Sequence, residues 1–151
     1  MAIRLLFLFS ILTSTISSAT EFVIRDHCDG SVVLKTRVYA DGETIGDLSE
    51  RILNRFNIRH EIEDGSIKSI NNSPKGNQAI DFFSSTHMRT YGWCYSVDGV
   101  VYLKTLAREF QLTGQENNVT WYFGYADYKD GKWISMCAFN RGFKNPTTCR
   151  N

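Results

Sequence analysis

The chain has 151 residues, of which 42% are apolar and 13% aromatic, and its formal net charge is +1. This length predicts one domain whose core is large enough to fold without a metal. The composition excludes a disordered, collagen-like or coiled-coil chain. Because nucleic-acid binders usually carry a basic surplus, we expect a compact, aromatic-rich domain with no nucleic-acid partner.

The beginning of the chain is typical of a signal peptide. Arg4 provides a positive start, residues 5–12 form an apolar run, and residues 17–19 are the small residues that a signal peptidase reads. The run is shorter than the roughly 20 residues that cross a bilayer. We therefore predict a signal peptide at 1–19, one domain at 20–151, no membrane span, and a secreted or periplasmic location. A buried N-terminal strand or helix is the alternative.

Export gives the cysteines a structural meaning, because an even number in an oxidising compartment predicts disulfides. Four cysteines allow three connectivities. We expect Cys28 to pair with Cys149, which ties the chain ends, and Cys94 to pair with Cys137, which joins two strands. No two cysteines have the close spacing of a zinc site, so we expect no metal. His27 adjoins Cys28, which leaves a nucleophilic cysteine as an alternative.

The first half of the mature chain predicts a strand, a helix and a hairpin. Apolar and polar residues alternate over 31–39, as in a half-buried strand. Thr44 suits a helix N-cap, and apolar residues at helical spacing predict a helix over 45–56. An Asp-Gly turn signal at 64–65 divides two short runs, which predicts a hairpin over 60–71.

The second half is dominated by aromatic strands. Aromatic residues alternate with small ones over 91–97 and again over 119–125, and turn signals follow or precede each run. A last Asp-Gly turn at 130–131 leads into another strand, and the tail beyond it is irregular. These elements predict an α+β fold, with a small mixed sheet covered by a single helix.

The segment Thr-Tyr-Gly-Trp-Cys-Tyr-Ser-Val-Asp-Gly at 90–99 resembles the tryptophan strand and turn of the transcobalamin C-terminal-like domain. The order of the strand, the helix, the run at 67–72 and the closing strand at 119–123 also fits, although Asn72 stands where the family has glycine. The resemblance covers about residues 32–125, and 126–151 form a C-terminal extension. It implies a β-grasp-like mixed sheet packed on a single helix, with a C-terminal strand and tail added.

The resemblance also implies a ligand-facing surface. The family includes bacterial exported proteins of unknown function and the vitamin B12 carriers, in which this domain closes over cobalamin held mainly by a helical domain. The positions that match its ligand-facing strand and loop are Tyr91, Trp93, Tyr95, Asp98, Tyr102 and Leu106. No helical counterpart is predicted within these residues, so the chain would offer only half of an enclosed pocket.

The aromatic residues allow two interpretations. Tyr91, Trp93 and Tyr95 share one face of a regular strand, which either packs on the helix or forms an exposed platform. Seven tyrosines and three tryptophans exceed what one helix covers. We therefore expect several of the following to stay accessible: Tyr39, Tyr102, Tyr122, Tyr125, Tyr128 and Trp133. Tyrosine and tryptophan often dominate binding interfaces.

No motif predicts catalysis. The three histidines, His27, His60 and His87, have no metal-ligand spacing, and the acidic residues at 61–64 surround a predicted turn. A phosphate-binding loop and a nucleophile elbow are both missing. We therefore expect a non-catalytic binding module without a cofactor, which engages a protein partner or an extended surface ligand. A cobalamin-like small-molecule binding domain is the alternative, and a small secreted hydrolase or redox enzyme is a third hypothesis.

Overall fold

The computed structural model of the chain describes residues 19–139 together with Cys149. The predicted signal peptide, apart from Ala19, and most of the predicted tail lie outside the described residues. The elements in chain order are β1 (Thr20–Arg25), β2 (Val32–Val38), α1 (Ile45–Arg55), β3 (His60–Glu63), β4 (Ser66–Ile70), a short 3₁₀ helix (Gly76–Ala79), β5 (Ile80–Ser84), β6 (His87–Val97), β7 (Val100–Val101), β8 (Asn118–Lys129) and β9 (Lys132–Phe139).

Seven of the strands form one mixed sheet around the long antiparallel pair β6 and β8. The strand order is β2-β1-β8-β6-β5, with β9 beside β8 and β7 beside β6. The outer edge of β8 is shared by β1, which is parallel to it over 118–121, and by β9, which is antiparallel to it over 124–129. The outer edge of β6 is shared in the same way by β5 and β7. The hairpin β3–β4 forms a separate two-stranded sheet.

The predicted fold class, an α+β, β-grasp-like sheet packed on a single helix with a C-terminal extension, is wrong. Strands account for 51% of the described residues and helices for 12%, and the main sheet has seven strands. The difference arises from strands at the ends of the chain. β1 enters the sheet in parallel beside β8, and β9, which was expected to be an appendage, pairs directly with β8.

The predicted helix is confirmed, with its last turn ending at Arg55 rather than at Phe56. Thr44 caps it, because its hydroxyl accepts a hydrogen bond from the backbone N–H of Asp47 at 3.1 Å. The apolar stripe of the helix packs on the face of the sheet that carries the aromatic residues. The fully buried side chains of this core include Phe22, Ile24, Ile45, Leu48, Ile52, Leu53 and Val119.

One polar bond ties the sheet to the helix inside the core. Trp121 on β8 donates its indole N–H to the hydroxyl oxygen of Ser49 at 2.8 Å, and that hydroxyl donates to the carbonyl of Ile45 at 2.6 Å. All the polar atoms of this contact are therefore satisfied, as burial requires. The predicted hairpin is also confirmed by β3 and β4.

Two disulfides are present, in the connectivity expected from the sequence. Cys28 is bonded to Cys149 with a Cα–Cα distance of 5.5 Å, and Cys94 to Cys137 with a distance of 5.7 Å. The second bond passes over Gly124, where an added Cβ would lie 3.1 Å from Cys94 Sγ. Disulfides of this kind indicate an oxidising compartment outside the cytoplasm. Among the described residues no helix is long and apolar enough to span a membrane.

Candidate functional site

The central strand β6 has a free edge between its two short partners. β5 pairs with β6 at residues 87–90, and β7 pairs with it at residues 96 and 97. Over 92–95, no described strand is paired with β6 on that side. An unpaired strand edge presents a row of backbone donors and acceptors, so this segment is a natural place for another chain to pair.

The direction of these backbone groups follows from the adjacent turn. Residues 98–99 form a two-residue turn with positive φ angles of 48° and 79°. Such a turn makes the flanking residues, Val97 and Val100, exchange hydrogen bonds. The N–H of Asp98 points the other way and donates to a carbonyl of β8 at 2.9 Å. Because the direction alternates along a strand, Trp93 directs its backbone N–H and C=O out of the free edge.

A groove runs along this edge between β6, β4 and the loop that follows β7. We call it the edge groove and define it by Ser66, Ile67, Trp93, Tyr95, Tyr102, Leu103, Leu106 and Met136. Its volume is about 160 Å³. An open recess of about 750 Å³ between the hairpin β3–β4 and residues 91–93 continues it on one side. A third recess, of about 180 Å³, lies between β6 and the bulged part of β9. Trp93 lines all three of them.

The indole of Trp93 is held in one orientation. Its N–H donates to the hydroxyl oxygen of Ser73 at 2.8 Å, and its ring lies edge-on to Phe123 with centroids 5.6 Å apart. Ser73 is itself buried, and its hydroxyl oxygen accepts from the backbone N–H of Ile70 at 3.1 Å. Trp93 is half-buried, so the two interpretations of the aromatic strand both apply to it. Trp93 packs against the buried core and also lines the groove.

Tyr95 forms the floor of the groove and is only 6% exposed. Its hydroxyl donates to the carbonyl of Thr105 at 2.6 Å, which fixes the loop after β7 against the strand. Burial, followed by the nearby Tyr102 and Glu109, raises the pKa of Tyr95 to about 12. The phenol therefore remains a neutral donor at physiological pH.

Tyr91 precedes this segment on β6 and is half-buried. Its hydroxyl donates to a carboxylate oxygen of Asp81 at 2.8 Å, and its ring is parallel to that of Phe123 at 6.3 Å. Burial and then the Asp81 carboxylate raise the pKa of Tyr91 to about 12. Tyr91 lines the two recesses beside Trp93 rather than the edge groove itself.

The loop residues expected to face a ligand separate into two groups. Tyr102 is 37% exposed and stacks on Tyr95 with centroids 6.3 Å apart, while Leu106 is 45% exposed, and both line the edge groove. Asp98 lies outside the described recesses. Its carboxylate accepts hydrogen bonds from the backbone N–H groups of Asn117 and Asn118 at 2.9 and 2.8 Å, so it orders the start of β8.

Several groove residues carry no signal in the sequence. Ser66 and Ile67 belong to the predicted hairpin, but only the tertiary structure places that hairpin beside β6. Met136 reaches the groove because β9 is bulged next to it, where Cys137 has a positive φ of 51°. Residues 100–103 are four consecutive apolar or aromatic residues, and all four are exposed. This run directly after a turn is a signal for a binding surface that the sequence does contain.

The expectation of accessible aromatics is confirmed for Tyr39, Tyr102 and Trp133, which are exposed. Tyr122 is not among the accessible ones: it is buried and donates its hydroxyl proton to the carbonyl of Cys137 at 2.8 Å. Tyr125 and Tyr128 are half-buried. The aromatic surplus therefore serves partly to cover the second face of the sheet around the Cys94–Cys137 disulfide.

The histidines lie in different parts of the fold. His60 is in β3, with Nδ1 2.7 Å from the carbonyl of Ile58, and His87 begins β6 with its ring 4.7 Å from that of Phe83. His27 lies in the loop between β1 and β2, where burial, partly offset by Asp26, lowers its pKa. The acidic residues at 61–64 are exposed and form ion pairs with Lys75, Lys68 and Arg108.

One group of side chains has the composition of a metal site. The ligand atoms of His27, Cys28 and Cys149 all lie within 4.8 Å of one another, although the two sulfurs are joined in a disulfide. This group lies outside the described recesses around β6.

No family model matches the chain, and no curated protein or solved structure is detectably similar to it. The resemblance to the transcobalamin C-terminal-like domain therefore rests on the quoted residues alone, and the function has to be argued from the site.

Proposed function

We propose that the chain is an exported, non-catalytic binding module that takes an extended segment of a partner protein along the free edge of β6. The observation that carries the proposal is the position of Trp93. Its backbone polar groups point out of an edge where no described strand is paired, and Trp93 lines three recesses. The two disulfides are in keeping with work outside the cytoplasm, in the periplasm or the external medium.

Strand addition combines the two kinds of contact that this site offers. The partner's backbone would pair with residues 92–95, which span roughly 14 Å at about 3.4 Å per residue. Its side chains would alternate between the two faces, so that main-chain bonds supply affinity and pockets for alternate side chains supply specificity. A side chain directed into the edge groove would meet apolar groups of Ile67, Tyr95, Leu106 and Met136.

The size of the groove favours a peptide side chain over a large ring ligand. At about 160 Å³ it is smaller than the roughly 300–1,000 Å³ of small-molecule sites. A cobalamin-like ligand would find an open recess beside the hairpin, where most of its surface would stay in water. The peptide is therefore the better-supported occupant, and cobalamin binding remains the alternative that an experiment has to separate.

The non-catalytic part of the proposal rests on how the reactive side chains are distributed. His60 and His87 lie on different strands, and the acidic residues of the hairpin β3–β4 are exposed and paired with cations. General acid–base chemistry needs such groups to converge within hydrogen-bond reach of one substrate. Glu61 and Glu63 do line one recess, but neither His60 nor His87 lines it with them.

The test is selection of extended peptides on the purified exported protein, followed by calorimetric titration of the selected peptide. We expect Leu103→Glu to weaken binding at least tenfold, because it places a charge in the apolar groove. Ile134→Glu is the matched control, since Ile134 is also apolar and exposed (63%, against 49% for Leu103) but lies outside the groove. Its affinity should stay within twofold of the wild type.

A second pair of probes tests the pairing itself. Methylation of the peptide nitrogens that face β6 removes hydrogen-bond donors and should abolish binding, whereas methylation of the alternate nitrogens should leave it within a few fold. If both methylated peptides bind as well as the parent, or no peptide is selected, the proposal is wrong. A shift in the visible spectrum of added cobalamin, lost in Trp93→Ala, would establish the alternative.

A further inference from the structure

The loop between β1 and β2 places an imidazole against a disulfide. One ring nitrogen of His27 and the sulfur atoms of Cys28 and Cys149 lie within 4.8 Å of one another. His27 and Cys28 are neighbours in the chain, whereas Cys149 is 121 positions further on. The combination of one imidazole and two sulfurs therefore exists only in the folded, closed molecule.

His27 is buried without satisfying its ring. It is 6% exposed, its ring lies edge-on to Phe123 at 5.9 Å, and its buried Nε2 has no hydrogen-bond partner among the residues that the structure describes. Buried polar atoms in folded proteins are nearly always paired, so an unpaired one indicates a function or a missing ion or water. A nitrogen of this kind is a ready ligand for a metal ion.

The loop that carries His27 and Cys28 is fixed by hydrogen bonds that do not involve the disulfide. The backbone N–H of Asp26 donates to the carbonyl of Ser31 at 2.7 Å, and that of Gly30 donates to the carbonyl of Asp26 at 3.1 Å. The Asp26 carboxylate accepts from the N–H of Cys28 at 2.7 Å. When the disulfide opens, two of the three ligands are therefore still held in place.

We propose that reduction of the Cys28–Cys149 disulfide turns this group into a three-ligand Zn²⁺ site, with His27 as its nitrogen ligand. A dithiol reductant donates two electrons and two protons: its own sulfurs become a disulfide, and Cys28 and Cys149 become thiols. Zn²⁺ then displaces both protons and binds two thiolates and the neutral imidazole, and water fills the fourth position.

The geometry requires little movement. Zn–S bonds of about 2.3 Å and Zn–N bonds of about 2.1 Å place tetrahedral ligand atoms roughly 3.5–3.8 Å apart. The three atoms already lie within 4.8 Å of one another. The imidazole nitrogen therefore has to approach the sulfurs by roughly 1 Å, and the two sulfurs, about 2.05 Å apart in a disulfide, have to separate to about 3.8 Å. Metal binding would replace the covalent tie between Cys149 and the β1–β2 loop.

The experiment uses the protein purified after export, reduced under argon, freed of reductant and titrated with Zn²⁺ in competition with a chromophoric chelator. We expect one tightly bound Zn²⁺ per reduced chain and none in the disulfide form. His27→Asn should weaken binding at least tenfold. His87→Asn is the matched control and should bind as the wild type does, because His87 begins β6 and is not in the group formed by His27, Cys28 and Cys149.

The other disulfide has to be excluded as the ligand source. The double variant Cys28→Ser/Cys149→Ser should lose the site, and Cys94→Ser/Cys137→Ser should keep it. With Co²⁺ in place of Zn²⁺, Cys94→Ser/Cys137→Ser should show thiolate-to-metal absorption, and Cys28→Ser/Cys149→Ser should not. Zn²⁺ should also raise the Tm of the reduced chain.

Three results would overturn the proposal: a reduced chain that binds no more Zn²⁺ than the oxidised one, unchanged affinity in His27→Asn, or retained binding in Cys28→Ser/Cys149→Ser. If His27→Asn does not fold in its disulfide form, His27→Gln takes its place with the same expectation. Peptide binding at the edge groove is measured separately, so failure here leaves that result untouched.

Discussion

At the scale of single residues, the side chains around the free edge combine burial with a polar bond. Tyr95 is almost fully buried, yet its hydroxyl reaches the carbonyl of Thr105. Trp93 is held in the same way, because its indole N–H donates to the hydroxyl oxygen of Ser73. Such bonds hold the aromatic rings at defined angles, which gives a binding surface rigid anchors at a low entropic cost.

The raised pKa of Tyr95 predicts a loss of stability in alkali. Its folded pKa is about 12, against an ordinary value of 10.0. The folded state therefore keeps a proton that the unfolded state releases, and the free energy of unfolding falls as the pH rises from about 10 to 12. Urea denaturation over this range should show a shallower decline in Tyr95→Phe than in the wild type. Tyr39→Phe, at an exposed ring, should follow the wild type, and equal declines in all three proteins would contradict the prediction.

At the scale of elements, the strand pair β6 and β8 is crossed by a disulfide, and a glycine makes room for it. Gly92 and Gly124 face each other across the pair. A Cβ on Gly124 would lie 3.1 Å from both Cys94 Sγ and the carbonyl of Ala138, whereas a Cβ on Gly92 would meet nothing within 4 Å. The two positions are alike in secondary structure and differ in the space around them.

This difference predicts opposite effects of one substitution. Gly124→Ala should lower the free energy of unfolding by about 1–3 kcal/mol, the usual cost of overpacking. Gly92→Ala should leave it unchanged or raise it by about 0.5–1 kcal/mol, because alanine reduces the entropy of the unfolded strand. Urea titration of both variants measures the two values. A destabilisation of Gly92→Ala as large as that of Gly124→Ala would show that space over the disulfide is not the cause.

Local patterns account for the elements that were predicted and long-range pairing for those that were not. Residues near in sequence encode the helix after Thr44 and the hairpin β3–β4, because capping and turn geometry act locally. The parallel pairing of β1 with β8 joins positions such as Phe22 and Val119, which are far apart in the sequence. No local sequence pattern near either residue predicts this pairing. For this reason a strand at the very start of the mature chain went unrecognised, and the fold class was wrong.

The candidate site was predictable only as a set of aromatic residues. Alternation placed Trp93 and Tyr95 on one face of a strand, and the family resemblance added Tyr102 and Leu106. That β6 has a free edge depends on where β5 and β7 end, and that depends on pairing registers which the sequence does not display. Asp98 was expected at the ligand, but an aspartate next to a turn often binds local backbone instead, as it does here.

At the scale of the whole molecule, two covalent ties constrain a sheet whose strands come from both ends of the chain. One disulfide joins positions 121 apart, and the other joins positions 43 apart. A cross-link stabilises mainly by restricting the unfolded chain, although strain and residual structure modify its size.

Removal of the shorter cross-link tests this view of stability. Cys94→Ala/Cys137→Ala should lower the free energy of unfolding by about 2–5 kcal/mol, and the urea m-value should rise because the unfolded chain exposes more surface. Equilibrium urea denaturation reports both quantities. Reduction of the wild type in the same buffer is the companion measurement and should cost more, since it also opens the link at Cys28. A cost below about 1 kcal/mol would contradict the entropic argument.

Amide hydrogen exchange at Trp93 tests the central claim most directly. That claim is that a partner strand pairs with the part of β6 where no described strand is paired. In the free protein, the N–H of Trp93 should exchange much faster than that of Cys94, which points to β8. The selected peptide should slow the exchange of Trp93 and leave that of Cys94 unchanged. Equal protection of the two amides in the free protein, or exchange at Trp93 that the bound peptide does not alter, would contradict the account.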